Sequence, residues 1–324
     1  MTTTIPTATG PEPASNPRRD RRHDPAGRVR RTRPTRLRTG IGPWFIVPAA
    51  VLLAIFIYRP LVNGLQLSFF GTDLFGNPSR FVGLENYITL LGQPSFQRVV
   101  GTSLLIAFLS MAMSVGVALL AVILLRTWIP GRGIFRVIFS LPFAYSAASA
   151  SAIFSGLLAP SVGVVNQLLA HLGIDAIPWL EQPGWAIFSV SVTTAWYELG
   201  FAFLVLAASI RTIPPEVMEA AELDGAGGLR FTCSILIPLL SPSLFFLLVT
   251  QTISGLQTFT QVRILTSGGP SSSTTTLVYQ LYMYAFGQGT PDYGRASVVA
   301  IVLVLIVALV TWLQFRFINR RVTA

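Results

Sequence analysis

Glu216, Glu219 and Glu222 recur every third residue, a spacing that lines carboxylates along one face of a helix. Their chemistry is electrostatic: a row of fixed negative charge on a short rod suits a basic cleft in another protein. The surrounding residues supply the rod. Thr212-Ile213-Pro214-Pro215 reads as its start, with Thr212 as a cap and Pro in the first turn. Early acidic residues also suit the positive end of the helix dipole. Ala220 and Ala221 keep the neighbouring surface small, so that a partner can approach closely. Asp224-Gly225-Ala226-Gly227-Gly228 ends the helix, because Gly takes the left-handed conformation of a sharp turn. Pro238 opens the next apolar stretch. The competing use of such a helix is to lie flat on lipid, where anionic headgroups would repel its acidic face.

A second set of polar residues sits inside apolar runs. Glu198, in Trp196-Tyr197-Glu198-Leu199-Gly200, is the one ionisable residue well inside such a run. Polar groups there face a cavity or a neighbouring helix. Glu198 therefore bonds a hydroxyl-rich solute, an Arg of a partner chain, or an adjacent helix, and the sequence leaves the three open. Gln251, Ser254, Thr258 and Gln261 follow a three-or-four spacing and read as one polar stripe, with Gln257 beside it. Hydroxyls and amides beside Phe259, Trp196 and Tyr197 suit solutes that present both hydroxyls and an apolar ring face. Helix packing is the alternative use of each of these residues. It is the expected one for Ser146, Ser149, Ser151, Ser155 and Gly156.

The elements that must hold these groups are membrane spans. Hydrophobic residues make up 52% of the 324-residue chain and charged ones only 11%, against roughly a quarter charged in soluble domains. A bilayer core needs about 20 apolar residues in a helix. Six stretches qualify: Trp44 to about Phe70, Val99–Leu125, Val137–Leu158, Trp185–Ile210, about Leu239–Val262, and Ala296–Phe315. The first is interrupted by Arg59-Pro60 and projects past the hydrocarbon. Every one of the 23 basic residues is Arg, and ten of them lie in Arg18–Arg38. That segment shows no apolar period and is expected to be a disordered tail against lipid headgroups. With the N-terminus inside, eighteen Arg fall on the cytoplasmic side and five outside, so both termini are expected in the cytoplasm. The resulting organisation is a tail at 1–40, a first span with its outer loop at 41–97, a five-helix core at 98–317 carrying the acidic loop at 212–238, and a C-terminus at 318–324. The outer loops 68–97, 160–184 and 263–294 serve either as connectors or as a docking surface; the last holds a Ser267–Pro270 turn and a short helix at Tyr279–Phe286.

Several function classes fall away. The net charge of +10 sits mostly in the tail beside a membrane, which argues for lipid contact and against nucleic acid. His23 and His171 form no metal-ligand pair, and the single Cys233 allows no internal disulfide. No Gly-rich Lys-Ser/Thr phosphate loop is present, so any ATP must be bound elsewhere. An ion-coupled secondary transporter of a small polar solute is the main rival. One buried Glu and no clear internal repeat argue against it.

Glu219-Ala220-Ala221, then Gly225, then Ile235-Leu236-Ile237-Pro238 resembles the EAA loop of ABC importer permeases, with Ile237 where that family usually has Leu. Tyr58-Arg59-Pro60, Phe81-Val82-Gly83-Leu84-Glu85-Asn86-Tyr87, Gly163-Val164-Val165-Asn166, Gly268-Gly269-Pro270 and Tyr282 with Ala285-Phe286 extend the likeness to the carbohydrate-uptake branch, the maltose and glycerol-3-phosphate permeases. The resemblance runs from about Ile41 to Phe317. It implies an all-α polytopic membrane protein with six transmembrane helices and the MetI-like core of type I importers. It further implies a coupling helix at Pro215–Leu223, with Glu219 pairing to a basic residue of a separate ATPase and Gly225 giving the turn. The implied partners are a second, paralogous permease, two ATP-binding-cassette subunits holding ATP and Mg, and an extracytoplasmic solute-binding protein. The implied place is the bacterial plasma membrane, and the implied cargo a sugar, polyol or glycerol-3-phosphate-like solute.

Overall fold

The computed structural model describes residues 42–322 apart from 74, 76, 127–129 and 225; the side chains of 42, 43, 218, 222 and 317–322 also lie outside the description. The expected basic tail, with His23, and Gly225 are therefore outside the described residues. The chain divides into two units at Leu53/Ala54. The first holds α1 (Gly42–Leu53), an apolar helix with Pro48 inside it.

The second unit opens with a π turn, Ala54–Tyr58, and α2 (Arg59–Leu67). Pro60 has no N–H and its ring crowds the carbonyl four residues back. The helical ladder widens into the π turn immediately ahead of it. A two-stranded hairpin follows, β1 (Phe70–Thr72) pairing antiparallel with β2 (Pro78–Phe81). The apolar period gave no sign of it. Asp73 Oδ1 accepts from the N–H groups of Phe75 and Asn77, which closes the turn. Then come α3 (Glu85–Leu91), α4 (Pro94–Leu124) and α5 (Arg132–Ser140), with a 3₁₀ turn at Leu141–Ala144. Next are α6 (Ala147–Leu157), α7 (Val164–His171) and α8 (Pro183–Arg211). The acidic loop forms α9 (Pro215–Leu223) and α10 (Gly228–Phe231), followed by a π turn at Thr232–Leu236. The chain ends with α11 (Ile237–Leu256), α12 (Thr260–Leu265), α13 (Leu277–Phe286) and α14 (Tyr293–Val322).

Among the described residues five helical stretches are long and apolar enough to cross a bilayer: Trp44–Leu67, Pro94–Leu124, Pro183–Arg211, Gly228–Leu256 and Tyr293–Arg316. The sixth expected span is a pair, Arg132–Ala144 and Ala147–Leu157, bent by 109°. The bend falls at Tyr145 and Ser146, whose ψ angles of 152° and 155° are extended. Ser146 Oγ caps α6 by accepting from Ser149 N at 3.1 Å. Pro142, ahead of the bend, denies the helix one of its donors. The fifth span also departs from expectation, because the helix stops at Leu256 and restarts at Thr260.

The core lies where α4 meets α8 and α11. Val115, Ala118 and Val122 pack on Ala202, Phe203, Leu206 and Leu247. Small residues let the backbones approach: a Cβ on Gly255 would lie 2.7 Å from Ala107 Cα, and one on Gly200 2.4 Å from Phe143 N. Buried Ser103, Ser110, Thr193 and Thr194 each donate to a carbonyl three or four residues back, so no hydroxyl is orphaned at the contact. The packing role expected of residues 146–156 holds only in part. Ser151 is buried, but Ser146 is a cap and a Cβ on Gly156 would meet no neighbouring atom.

Two motifs of the loops act as fasteners. Asn86 Nδ2 donates to the carbonyls of Ser68 and Phe70, and Tyr87 Oη donates to Ser68 Oγ at 2.7 Å, tying the hairpin to α3. Asn166 Nδ2 donates to Pro160 O and Ile177 O, while its Oδ1 accepts from Ile177 N and from Trp179 Nε1 at 2.8 Å. Asn166→Ala strands these partners and is expected to cost about 2 kcal/mol or more, read as a lower thermal unfolding midpoint in detergent.

Candidate functional site

Two places carry the polar chemistry. The first is a cavity of about 310 Å³ lined by Tyr197, Glu198 and Phe201 of α8, Thr250, Gln251 and Ser254 of α11, and Phe143 of the 3₁₀ turn. Each helix contributes positions i, i+1 and i+4, one face of about a turn. Glu198 is 7% exposed, and its Oε2 has no hydrogen-bond partner among the described residues. A buried carboxyl oxygen without a partner is costly, so this atom is free for a donor from outside the chain. Gln251 is differently placed. It is 2% exposed, its Nε2 donates to the backbone carbonyl of Glu198 at 3.3 Å, and its Oε1 accepts from Ser114 Oγ. Gln251 thus bolts α4, α8 and α11 together. Thr250 Oγ1 donates to Phe246 O, which leaves the hydroxyl oxygen as an acceptor. Phe143 and Phe201 stack at 6.4 Å, and Phe201 meets Phe246 at 6.3 Å.

The single polar stripe read along the fifth span does not exist as one face. The break between Leu256 and Thr260 rotates everything beyond it. Gln257 lines a separate apolar cleft with Ile253 and with Val304, Val307 and Trp312 of α14. Thr258 and Gln261 are buried, the carbonyl of Thr258 accepting from Thr276 Oγ1 at 2.8 Å. Phe259 packs on Tyr279 and Tyr282, 6.2 and 5.1 Å between rings. Trp196 lies against Tyr145 and Phe154 at 5.8 and 5.5 Å, and it is absent from the cavity wall. Of the residues anticipated, Tyr197, Glu198, Gln251 and Ser254 come together. Phe201 and Thr250 were missed although each continues the same helical face, and Phe143 had no local signal because the bent pair brings it in.

The second place is α9. Its bounds match the expected helix, but Thr212 belongs to the element before it, where it is the C-cap of α8 and donates to Ser209 O at 2.8 Å. Glu216, Glu219, Ala220 and Asp224 are exposed. The two ion pairs among the described residues, Arg80–Glu85 and Arg295–Asp292, involve none of them. Ala221 does not face outward as anticipated: it is 5% exposed and packs with Phe231, Leu236 and Leu240. Its small side chain lets α9 close on the base of the fifth span. Pro238 is exposed in the first turn of α11, just after the second π turn, repeating the arrangement at Pro60.

Residues 44–323 match the family described as "Binding-protein-dependent transport system inner membrane component". The chain is 34% identical to the sulfoquinovosyl glycerol transport system permease protein SmoG of Agrobacterium fabrum, over 85% of this chain and 89% of that one. It is 33% identical to the sn-glycerol-3-phosphate transport system permease protein UgpA of the same organism, covering 86% and 95%. UgpA of Brucella abortus is 34% identical over the same shares. Among solved structures, a bacterial alginate ABC transporter in complex with alginate pentasaccharide-bound periplasmic protein aligns with a TM-score of 0.73 and 25% identity, over 87% of this chain and 95% of that chain. The likeness covers the cavity, the bent pair and α9 alike. This chain therefore belongs to the binding-protein-dependent transport system inner membrane components, the multi-pass, MetI-like permeases of ABC importers that work with an ATPase and a solute-binding protein.

Proposed function

We propose that the chain forms one half of the path for a sugar, a polyol or a glycerol-3-phosphate-like solute, beside a second, paralogous permease. Two ATPase subunits, holding ATP and Mg, seat against α9, and a solute-binding protein delivers the cargo from outside. Both termini lie in the cytoplasm, as the arginine asymmetry favours. The observation that carries the solute class is the cavity of Glu198: an unpartnered buried oxygen shares it with the hydroxyl-bearing Tyr197, Thr250 and Ser254 and with the rings of Phe143 and Phe201. Hydroxyls of a sugar satisfy the oxygen, and its apolar ring face suits the aromatic rings. No cation lines this cavity, so a phosphate on the solute must be met by another wall of the path.

The route from motor to cavity is short. Force on Glu216 and Glu219 moves α9, and Ala221 transmits it to Phe231, Leu236 and Leu240 at the root of α11. The same helix carries Thr250, Gln251 and Ser254 to the cavity, and Gln251 ties it to α4 and α8. Coupled motion of α11 with α8 would open and close the site. The ion-coupled alternative loses its ground once the chain is placed among ABC importer permeases.

The test is ATP-driven uptake by the reconstituted complex in liposomes. Glu198→Ala is expected to lower uptake about tenfold, the worth of one hydrogen bond to a charged or buried group. Gln257→Ala, in its separate cleft, should stay within about twofold, as expected for a change away from the special sites. Unchanged uptake in Glu198→Ala and Ser254→Ala together would remove the cavity from the path.

A further inference from the structure

Arg126, Arg136 and Arg211 line a single cavity of about 220 Å³. They come from three different elements. Arg126 lies just beyond the end of α4, Arg136 is in α5, and Arg211 is the last residue of α8. Guanidinium groups do not lose their protons in proteins, so three permanently charged side chains contribute to one cavity wall. The remaining wall includes Val122, Val137, Phe203 and Leu204, with no carboxylate among the described residues. Neither ion pair among the described residues involves these arginines. Arg126 is held in place, its guanidinium carbon 4.1 Å from the ring centre of Phe231. Like charges brought to one cavity, with no counter-ion among the described residues, are unfavourable beside apolar walls, and guanidiniums bind phosphate through paired N–H donors.

The depth of the site narrows the ligand. Arg126 and Arg211 stand at the ends of two helices long and apolar enough to cross a bilayer, where headgroups are expected, and Arg136 lies in α5, the first arm of the bent pair. Val137 and Leu204 on the rim are exposed, as are Ile134 and Ile138 of α5, an apolar flank on which acyl chains can lie. We propose that this cavity binds a phosphate-ester anion, whose nearest source is the headgroup of an anionic phospholipid. The bound anion would neutralise the arginines and steady Phe231, which packs with Ala221 of α9. Lipid charge would thus act on α10 and the π turn that link α9 to α11.

The site is tested on the full purified chain in detergent by native mass spectrometry and by thermal unfolding. The probes are short-chain phosphatidylglycerol, short-chain phosphatidylcholine and inorganic phosphate at equal ionic strength. The native protein is expected to retain phosphatidylglycerol and be stabilised by it. The Arg126→Gln/Arg136→Gln/Arg211→Gln variant should bind it about tenfold more weakly or worse. Should that variant misfold, Arg211→Gln alone, at an exposed position, should weaken binding about threefold. Equal stabilisation by inorganic phosphate, lost in the same variants, upholds the site and assigns its ligand to the free anion. Binding of phosphatidylglycerol that is unchanged in the variants overturns the proposal. So does binding that does not distinguish phosphatidylglycerol from phosphatidylcholine, which leaves the arginines to an acidic segment of a partner protein.

Discussion

Glu219→Lys should abolish solute-stimulated ATP hydrolysis by the assembled transporter while leaving the permease folded. Glu219 is exposed on α9 and has no ion-pair partner among the described residues, so the chain alone loses little by the change. Its carboxylate has value only against a partner. Removing one member of a desolvated charge pair costs about 2–5 kcal/mol, and reversing the charge adds repulsion. A loss of at least about thirty-fold in ATPase affinity is therefore expected. Co-purification of the ATPase and stimulated hydrolysis in liposomes measure it. Normal assembly with normal stimulation would mean that α9 is not the docking rod. Ala220→Glu, at its exposed neighbour, should weaken docking by bulk, with the permease's own unfolding unaffected.

The second large effect is expected from Gly200→Ala. The added Cβ would stand 2.4 Å from Phe143 N and 3.0 Å from Phe143 Cα. Backbone atoms cannot rotate out of the way as a side-chain tip can, so the 3₁₀ turn must leave α8. Overpacking of this kind costs typically 1–3 kcal/mol, and the upper end, about 3 kcal/mol, is expected here. The functional loss should exceed the loss of stability, because Phe143 is a wall of the Glu198 cavity. Thermal unfolding in detergent and ATP-driven uptake separate the two. A Gly200→Ala protein that melts and transports normally would show that the bent pair does not rest on α8.

These expectations draw unequally on sequence and fold. The apolar runs were long enough to name six stretches, five of which are single long helices, since hydrocarbon thickness sets a length that composition reveals. The acidic rod was equally plain, because Pro214-Pro215 and the Gly cluster punctuate it locally. The direction of Ala221 was not, since which face of α9 is inward depends on Phe231, Leu236 and Leu240, up to nineteen residues away. The bend at Tyr145–Ser146 was hidden because the run Val137–Leu158 carries no charge and stays apolar enough overall to read as one span, and hydropathy does not register a change of direction. The break after Leu256 has neither Gly nor Pro at Gln257, Thr258 or Phe259 to announce it. It is held from a distance, by Thr276 on the carbonyl of Thr258 and by Tyr279 and Tyr282 around Phe259.

By itself the sequence determined that this protein lives in a membrane, carries a short acidic helix between two of its apolar stretches, and places one carboxyl inside another. Those properties follow from composition, period and punctuation, which act over a few residues. Only the tertiary structure decided which polar groups share a cavity, that Gln251 serves as a bolt, and that three arginines far apart in the chain line one cavity. Such choices are made where helices cross, and a crossing depends on how two surfaces fit, which neither strand of residues specifies alone.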